Sequence, residues 1–425
     1  HHITPPHPAQ IASPTAMSSS TITTDVTLPT FEWSNGPFAN GTGPNTLPVL
    51  DPSTLTRATP FPTLKNDLIL RTARHEKTER TPVWCHRQAG RYLPEFRNTR
   101  KLGDFFTMCR TPKIAVELTL QPIRRFALDA AIIFSDILVI PQALGMEVLM
   151  KEGVGPVLPN PIKTPEEMKR LKKREEVDVP NSLSYVFDAI NLCRHSLAGT
   201  VPLIGFCGAP WTLMCYMIEG GGAKSYTHAR KWLFAHPEES HALLRLITDV
   251  LVEYLVCQVA AGAQLLEVFD TWSGELTAEC YKEFILPYVK DLAHRVKAEL
   301  KQRGLEVVPM TLFPKGSDYC LPWIADDTEY DVISLDWSTS ASEARKAVSH
   351  SKIALQGNLD PAVFYATPEQ VRKATRQMLD AFGPTGNHIA NLGHGMLPDH
   401  PLESLRVYVD EVHNYSEEKM KQAQK

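Results

Sequence analysis

The sequence predicts an α/β protein that forms one parallel eight-stranded (β/α)8 barrel of the TIM type, preceded by a disordered N-terminal arm. Three observations support this fold: eight short apolar or β-branched segments, longer helical patterns between them, and polar residues where the apolar segments end. Eight is the informative number, because eight parallel strands close into a barrel with helices outside. A doubly wound open sheet is the alternative that the same alternation permits.

Length and composition narrow the possible classes of protein. The chain has 425 residues, which exceeds a typical domain of roughly 100–200 residues but suits a barrel with insertions. Its 43% hydrophobic and 22% charged residues exclude disorder throughout. The formal net charge of -4 provides no broad cationic surface for nucleic acid. The most continuous apolar stretch, within residues 203–218, is too short for a membrane span. We therefore expect neither a nucleic-acid partner nor a membrane.

Residues 1–60 are expected to form the disordered arm, and residues 61–425 a single catalytic domain. The arm is rich in Ser, Thr and Pro, has no Lys or Arg before Arg57, and lacks an apolar stretch of signal-peptide length. The first methionine is Met17, so part of the arm is expected to be foreign to the natural protein. Eight scattered cysteines without a C-x-x-C pair indicate free thiols, and we expect a cytoplasmic protein.

The elements are predicted in order along the chain. Strands are expected at residues 82–86, 131–136, 202–208, 264–270, 307–313, 331–336, 352–358 and 388–394. The helices between them show apolar residues at spacings of three and four, with Pro or Gly near their ends. The clearest helices are at residues 237–262, 278–303 and 368–382.

Polar residues end or follow most of the predicted strands, where barrel enzymes carry their chemistry. They are Arg87, Asp136, Asp270, Thr271, Asp336, Gln356, Asn358 and His394. Any one of them could be an ordinary cap between a strand and a helix. If the barrel forms, we expect all of them to converge on one end of it.

Two stretches are more specific than the strand ends. The first is PVWCHRQAGRYLP at residues 82–94, and the second is GFCGAPWTLMCY at residues 205–216, followed by EGGG at residues 219–222. Three shorter motifs accompany them: FSDIL at 134–138, GNLDP at 357–361 and NLGHG at 391–395. Together these motifs resemble the uroporphyrinogen decarboxylase family, and the resemblance extends from residue 61 to about residue 413.

The resemblance implies a barrel enzyme, usually a homodimer, that acts in haem biosynthesis. Such an enzyme removes the carboxyl groups of the four acetate side chains of uroporphyrinogen III, which gives coproporphyrinogen III. No metal and no organic cofactor are implied, because a pyrrole ring protonated on carbon can itself accept the electrons of the breaking bond. The substrate carries eight carboxylates, so its site needs cations at the rim and an acceptor for the central pyrrole N–H groups.

The resemblance also implies residues that bind the substrate carboxylates. Arg87, Arg91 and Arg100 would bind them, and the small residue Ala89 would let the substrate approach the main chain. Arg87 and Arg91 are four residues apart and would share a side if their segment turns helically. Apart from the resemblance, a surface arginine pair that bridges helices is the ordinary interpretation.

Four residues are implied as catalytic: Asp136, Arg87, Tyr216 and His394. Asp136 would hold the pyrrole N–H groups and stabilise the positive charge of the transition state, unless it is a cap or a structural ion pair. Tyr216 would hydrogen-bond a substrate carboxylate or Asp136, although such tyrosines are more often core residues. His394 would contact carboxylate and exchange protons near neutral pH. Thr271, which would also bind substrate, retains the hydroxyl of the serine that the family commonly has there.

Some questions stay open at this point. His86 stands where the family typically has methionine, and it could change the charge of the pocket or pack inertly. The proton donor could be His394, a water molecule or Arg87. Two other classes of protein compete: a related barrel that transfers methyl groups from corrinoid proteins with zinc, and an inactive paralogue that binds porphyrins or only dimerises. We find no H-x-C pair at a strand end for zinc, and the retained site residues argue against the inactive paralogue.

Overall fold

The computed structural model describes residues 27–28, 47–151, 154–384 and 386–425. Its strands, in chain order, are β1 (Ala131–Ile132), β2 (Leu149–Lys151), β3 (Gly155–Val157), β4 (Leu203–Gly208), β5 (Leu265–Asp270), β6 (Met310–Pro314), β7 (Val332–Ser334), β8 (Ala354–Gln356) and β9 (His388–Ile389). The α-helices are α1 (Leu68–Ala73), α2 (Pro94–Thr99), α3 (Phe105–Arg110), α4 (Pro112–Arg125), α5 (Val139–Ala143), α6 (Val179–Ser182), α7 (Ser184–Ser196), α8 (Pro210–Glu219), α9 (Thr227–Ala235), α10 (Pro237–Ala261), α11 (Ala278–Phe284), α12 (Leu286–Gln302), α13 (Leu321–Asp327), α14 (Ala341–Ala347), α15 (Pro368–Phe382) and α16 (Leu402–Ala423).

The central sheet is parallel and closes on itself. Its strands follow the spatial order β1-β4-β5-β6-β7-β8-β9. The first predicted strand, at residues 82–86, is reduced to one bridge, in which Val83 pairs in parallel with Ala390 just after β9. On its other side, the Val83 carbonyl accepts from the N–H of Asp129 at 2.8 Å, just before β1. Val83 therefore joins the two edges of the sheet. The predicted barrel is confirmed, and the open sheet is excluded.

The predicted elements agree with the structure except at a few boundaries. The helices at residues 237–262 and 368–382 correspond to α10 and α15. The single helix expected at residues 278–303 is divided into α11 and α12 at Ile285, because Pro287 near the start of α12 has no N–H to continue the helical ladder. The antiparallel pair β2–β3 was not predicted, since each strand is only three residues long.

The barrel interior is apolar at the end where the strands begin. Trp84, Ile204, Leu265, Val332 and Ile389 form one buried cluster there. Helix α1 adds Ile69 and Leu70 to this cluster and so covers the end of the barrel where the strands begin. Binding chemistry is therefore confined to the opposite end, where the strands terminate.

Part of the predicted arm packs against the domain. The Leu47 carbonyl accepts from Arg124 Nε at 2.8 Å, and the Leu50 N–H donates to Ser196 Oγ at 3.1 Å. Arg57 also forms an ion pair with Asp188. Residues 1–26 and 29–46 of the arm lie outside the described residues, so the disorder expected for them stays a prediction.

Two further expectations can be compared with the described part of the chain. All eight cysteines are buried and unpaired, as the sequence indicated. Within residues 47–151, 154–384 and 386–425, no helix combines the length and apolar content needed to cross a membrane.

Candidate active site

The residues implied as catalytic surround one end of the barrel, which we call the mouth: the end at which the carboxyl termini of the parallel strands meet. Asp136 follows β1, Thr271 follows β5, His394 follows β9, and Tyr216 lies on α8 just after β4. Electrostatic interactions connect Arg87 with Tyr216 and His394, and Tyr216 with Asp136. Arg87, Asp136, Tyr216 and His394 are therefore neighbours in one site.

Arg87 has an unusual backbone conformation at the edge of the mouth. Its φ of 60° lies in the left-handed region, which non-glycine residues rarely adopt, so the segment does not form the helical turn that would align it with Arg91. Its side chain is open to solvent but lies deep enough in the mouth that burial lowers its pKa. The charge of Arg91 lowers the pKa further, which shows that the two cations are close.

Asp136 presents a carboxylate oxygen without a partner. Burial raises the pKa of Asp136 to about 6, while the backbone N–H groups of Ile137 and Leu138 oppose this shift. Among the described residues, Asp136 Oδ2 is buried and has no hydrogen-bond partner. A buried carboxylate of this kind can accept N–H donors from a ligand.

Tyr216 lies between the acid and the cation. Its ring packs edge-on against Trp272, with 6.2 Å between the ring centroids. Burial raises the pKa of the phenol, Asp136 raises it further, and Arg87 opposes the shift. The phenol is therefore protonated near neutral pH and can donate a hydrogen bond.

Burial favours the neutral form of His394. Its ring stacks on Trp337, with 6.0 Å between the ring centroids. Burial lowers the pKa of His394 to about 3, and the charges of Arg87 and Lys315 contribute in the same direction. Substrate carboxylates would raise this pKa, so proton exchange by His394 near neutral pH stays a prediction.

The remaining predicted binding residues are accessible. The side chains of Arg91 and Arg100 are exposed, and Ala89 and Thr271 are half-buried. Arg100 begins a 3-10 turn after α2, and no described contact joins it to Arg87 or the other catalytic candidates. The structure therefore brings Arg91 near Arg87 but leaves Arg100 as a separate cation.

Comparison with known proteins assigns the family. A family model described as uroporphyrinogen decarboxylase (URO-D) matches residues 64–415. The uroporphyrinogen decarboxylase of Danio rerio is 53% identical over 361 residues, which cover 85% of this chain and 96% of that protein. Those of Homo sapiens and Salinibacter ruber are 53% and 54% identical over 356 residues, covering 84% of this chain and 96% and 98% of those proteins. The chain belongs to the uroporphyrinogen decarboxylase family.

The likeness to solved structures agrees with a barrel. A methyltransferase from Methanosarcina mazei superposes with a TM-score of 0.65 and covers 82% of this chain and 98% of its own. Its sequence identity is 18%, so this likeness shows the fold alone. The residues matched by the uroporphyrinogen decarboxylase model include every site residue predicted from the sequence.

Two polar residues at the strand ends have structural roles instead. Asp336 Oδ2 accepts from the N–H of Gly316 at 2.6 Å, and its Oδ1 accepts from the N–H of Ser338 at 2.8 Å. The amide of Asn358 donates to the Asp336 carbonyl at 2.8 Å. Both side chains hold neighbouring loops together, so the cap interpretation applies to them.

Two others point away from the mouth, and the expected convergence is wrong for them. Gln356 lies inside the barrel, where its Oε1 accepts from Trp84 Nε1 at 2.9 Å. Asp270 faces the helices, because its Oδ1 accepts from the hydroxyl of Thr212 on α8 at 2.7 Å. The side chains alternate along a strand, so the last residue of a strand can point to either face.

Sequence reasoning missed two residues beside His394. Lys315 follows β6 directly, and its Nζ lies 5.6 Å from the centre of the Trp337 ring. Trp337 follows β7 and is 43% exposed, so it offers an aromatic surface at the mouth. A lysine and a tryptophan immediately after predicted strands were the available signal. The mouth thus contains one more cation than the motifs indicated.

Within the described residues, no group of three or more His, Cys, Asp or Glu side chains is arranged to hold a metal ion.

Proposed function

We propose that this chain decarboxylates the four acetate side chains of uroporphyrinogen III to give coproporphyrinogen III, without a metal or organic cofactor. The observation that carries the proposal is the unpartnered, buried Oδ2 of Asp136 in the same mouth as Arg87 and Arg91, with Tyr216 interacting with both Asp136 and Arg87. This pairing of one acceptor with several cations is complementary to a macrocycle that has N–H donors at its centre and carboxylates at its periphery.

Each residue has a proposed role in that reaction. Asp136 accepts the pyrrole N–H groups and stabilises the cation formed when a ring carbon is protonated. Arg87, Arg91 and Arg100 bind carboxylates, and Tyr216 donates a hydrogen bond to one of them. The leaving carboxylate loses carbon dioxide, and its bonding electrons enter the cationic ring. A second proton then converts the exocyclic methylene to a methyl group, and the ring carbon releases the first proton, which restores the pyrrole.

The remaining binding roles and the source of the protons are proposed together. Ala89 lets the substrate approach the main chain, Thr271 supplies a hydroxyl, and neutral His394 can donate or accept at a carboxylate. Arg87 keeps its role as a candidate proton donor, because burial lowers its pKa. A water molecule and His394 are the other candidates.

Quaternary structure and location complete the proposal. We propose a homodimer, because members of the resembled family are usually dimeric, and light scattering on the purified chain tests it. A cytoplasmic location is proposed from the free, buried cysteines, which are typical of a reducing compartment.

Incubation with uroporphyrinogen III under anaerobic, reducing conditions tests the function. Chromatography of the oxidised products should show porphyrins with seven, six, five and then four carboxyl groups. A protein that only binds porphyrins would leave the octacarboxylate unchanged. A methyl-transfer enzyme would also leave it unchanged, and would instead consume a methylated corrinoid protein.

A further inference from the structure

A buried pair of side chains joins His86, the residue that precedes Arg87, to Glu267 on β5. His86 Nε2 and Glu267 Oε1 are 2.9 Å apart, and the two residues are 4% and 0% exposed. Glu267 points into the barrel from β5, where its Oε1 also accepts from Gln356 Nε2 at 3.2 Å. The His86 ring is stacked on Phe313 with 5.1 Å between centroids and 5° between planes. The His86 side chain is thus fixed from two directions.

The backbone around Arg87 shows why a fixed His86 matters. Arg87 has a φ of 60°, a strained conformation that persists only when the surrounding structure holds it. On one side, the His86 N–H donates to Asn391 Oδ1 at 2.9 Å, and the His86 carbonyl accepts from the Met396 N–H at 2.9 Å. On the other side, Gln88 Nε2 donates to a backbone carbonyl at 3.0 Å. Arg87 is therefore held between two anchored residues.

We propose that His86 and Glu267 act as positioning residues for Arg87. Their hydrogen bond fixes the residue that precedes the strained arginine, and so sets where the guanidinium stands in the mouth. The inference rests on the substrate-binding role proposed for Arg87. It also accounts for the departure at residue 86, since a methionine there would leave Glu267 without its histidine donor.

The pair should be coupled in a characteristic way. Removing one partner leaves a buried polar group without its hydrogen bond, whereas replacing both by compatible neutral groups leaves none. His86→Met alone removes one of the two donors to the Glu267 carboxylate and leaves Gln356 as the other. With Glu267→Gln in addition, the side chain at 267 is neutral and can still bond to Gln356. The double variant should therefore recover much of the stability that the single variant loses, without restoring the hydrogen bond that holds residue 86.

Urea unfolding measures this recovery of stability, and steady-state kinetics with uroporphyrinogen, at a temperature where circular dichroism shows every variant folded, tests the positioning of Arg87. We expect His86→Met and the double variant to lower kcat/KM about tenfold, because both lack the hydrogen bond. Glu267→Gln, whose amide oxygen can still accept from His86 Nε2, should stay within about threefold of the wild type. Ser334→Ala is the matched control, because Ser334 Oγ accepts from Gln356 Nε2 at 3.1 Å in the same buried layer but has no described contact with residues 86–88. It should lower stability without changing kcat/KM.

Repeating His86→Met in an Arg87→Lys background separates positioning from a merely structural role. If His86 acts through Arg87, His86→Met should lower kcat/KM only slightly once the guanidinium is absent. An equal fold-decrease in kcat/KM in both backgrounds would overturn the inference. So would wild-type kinetics of His86→Met when Arg87→Lys is impaired. Full activity of Arg87→Lys would instead overturn the proposed role of Arg87. Should His86→Met not fold, His86→Asn, which is too short to reach Glu267, is measured by the same comparisons.

Discussion

The side chain of Arg87 lies against the backbone of Gly395, so closely that a Cβ atom at residue 395 would be 2.3 Å from Arg87 Cδ. The two residues are far apart in the sequence, one after the first predicted strand and the other after β9, the last strand. Because Val83 pairs with Ala390, closure of the barrel brings these two segments together. The position of Arg87 thus depends on barrel closure as well as on its own turn.

Gly395→Ala should displace Arg87 while preserving the fold. The added methyl group would collide with the arginine side chain rather than with the backbone of another element, so the arginine must move. We expect kcat/KM to fall by about tenfold or more, since a displacement of about 1 Å in a binding group is costly. Gly222→Ala is the control, because its Cβ would meet no atom within 4 Å. Equal activity of the two variants would show that Arg87 tolerates displacement.

Asp136→Asn should retain the fold and lose activity. The asparagine side chain keeps the shape of the acid but removes the negative charge that faces the cationic intermediate. By comparison with other preorganised groups, we expect a loss of about 3 kcal/mol in transition-state stabilisation, or roughly a hundredfold in kcat/KM. Single-turnover measurement of product porphyrins checks this loss. Near-wild-type turnover would remove Asp136 from the mechanism.

The pH dependence of activity should show the raised pKa of Asp136, which is about 6 because of burial. As the pH falls through this value, the carboxylate gains a proton, loses an acceptor site and weakens substrate capture, so kcat/KM should fall. In the complex, N–H donors favour the charged form, and the acid limb of kcat should lie at lower pH. Steady-state kinetics between about pH 5 and 8 measures the acid limb of kcat/KM and the acid limb of kcat.

The acid limb of kcat/KM that we assign to Asp136 should persist in His394→Asn. The pKa of His394 is about 3, so its titration lies below this range. A limb that disappears with His394 would assign the titration to the histidine instead.

The sequence predicted the barrel well because the alternation of strands and helices repeats along the chain and does not depend on exact boundaries. The first strand was the least predictable in extent, since only Val83 pairs in the sheet. The motifs identified the residues that meet at the mouth, whereas polar residues at strand ends were a weaker guide to the site. Asp336 and Asn358 have the composition of binding residues, yet backbone groups satisfy them.

Contacts between residues far apart in the chain could not be predicted from the sequence. His86 and Glu267 are far apart in the chain, and only barrel closure brings them to 2.9 Å. Lys315 was overlooked because its position after a predicted strand was the one signal, and a solvated lysine is equally common there. Electrostatic surroundings, such as those that keep His394 neutral, likewise depend on the complete fold.

Arg87 and Arg100 should respond differently to substitution by lysine. Lysine keeps the charge but loses the planar fork that binds a carboxylate through two hydrogen bonds. Arg87 is strained and lies deep in the mouth, so Arg87→Lys should lower kcat/KM by about tenfold or more. Arg100→Lys at the exposed rim should act mainly through KM. Equal, negligible losses in steady-state kinetics would make both arginines structural.

Asp270→Asn should change how stability depends on pH. Asp270 is fully buried, and among the described residues its Oδ2 has no partner, so burial raises its pKa from 3.8 to about 7. Between these two pH values, the folded chain holds a proton that the unfolded chain has released. The free energy of unfolding contributed by Asp270 therefore falls as the pH rises from about 4 to 7.

Asparagine is neutral throughout this range and can still accept from the Thr212 hydroxyl. The free energy of unfolding of Asp270→Asn minus that of the wild type should be larger at pH 8 than at pH 5, by on the order of 2 kcal/mol. Urea unfolding of both proteins at the two pH values measures it, and the other titrating groups cancel in the comparison. Asp129→Asn is the control, because ion pairing with Arg80 lowers the pKa of Asp129 despite its burial. Asp129 is therefore ionised in the folded and the unfolded chain at both pH values, and its substitution should change stability equally at pH 5 and pH 8. Parallel pH profiles of the wild type and Asp270→Asn would mean that Asp270 is already ionised in the folded protein at pH 5.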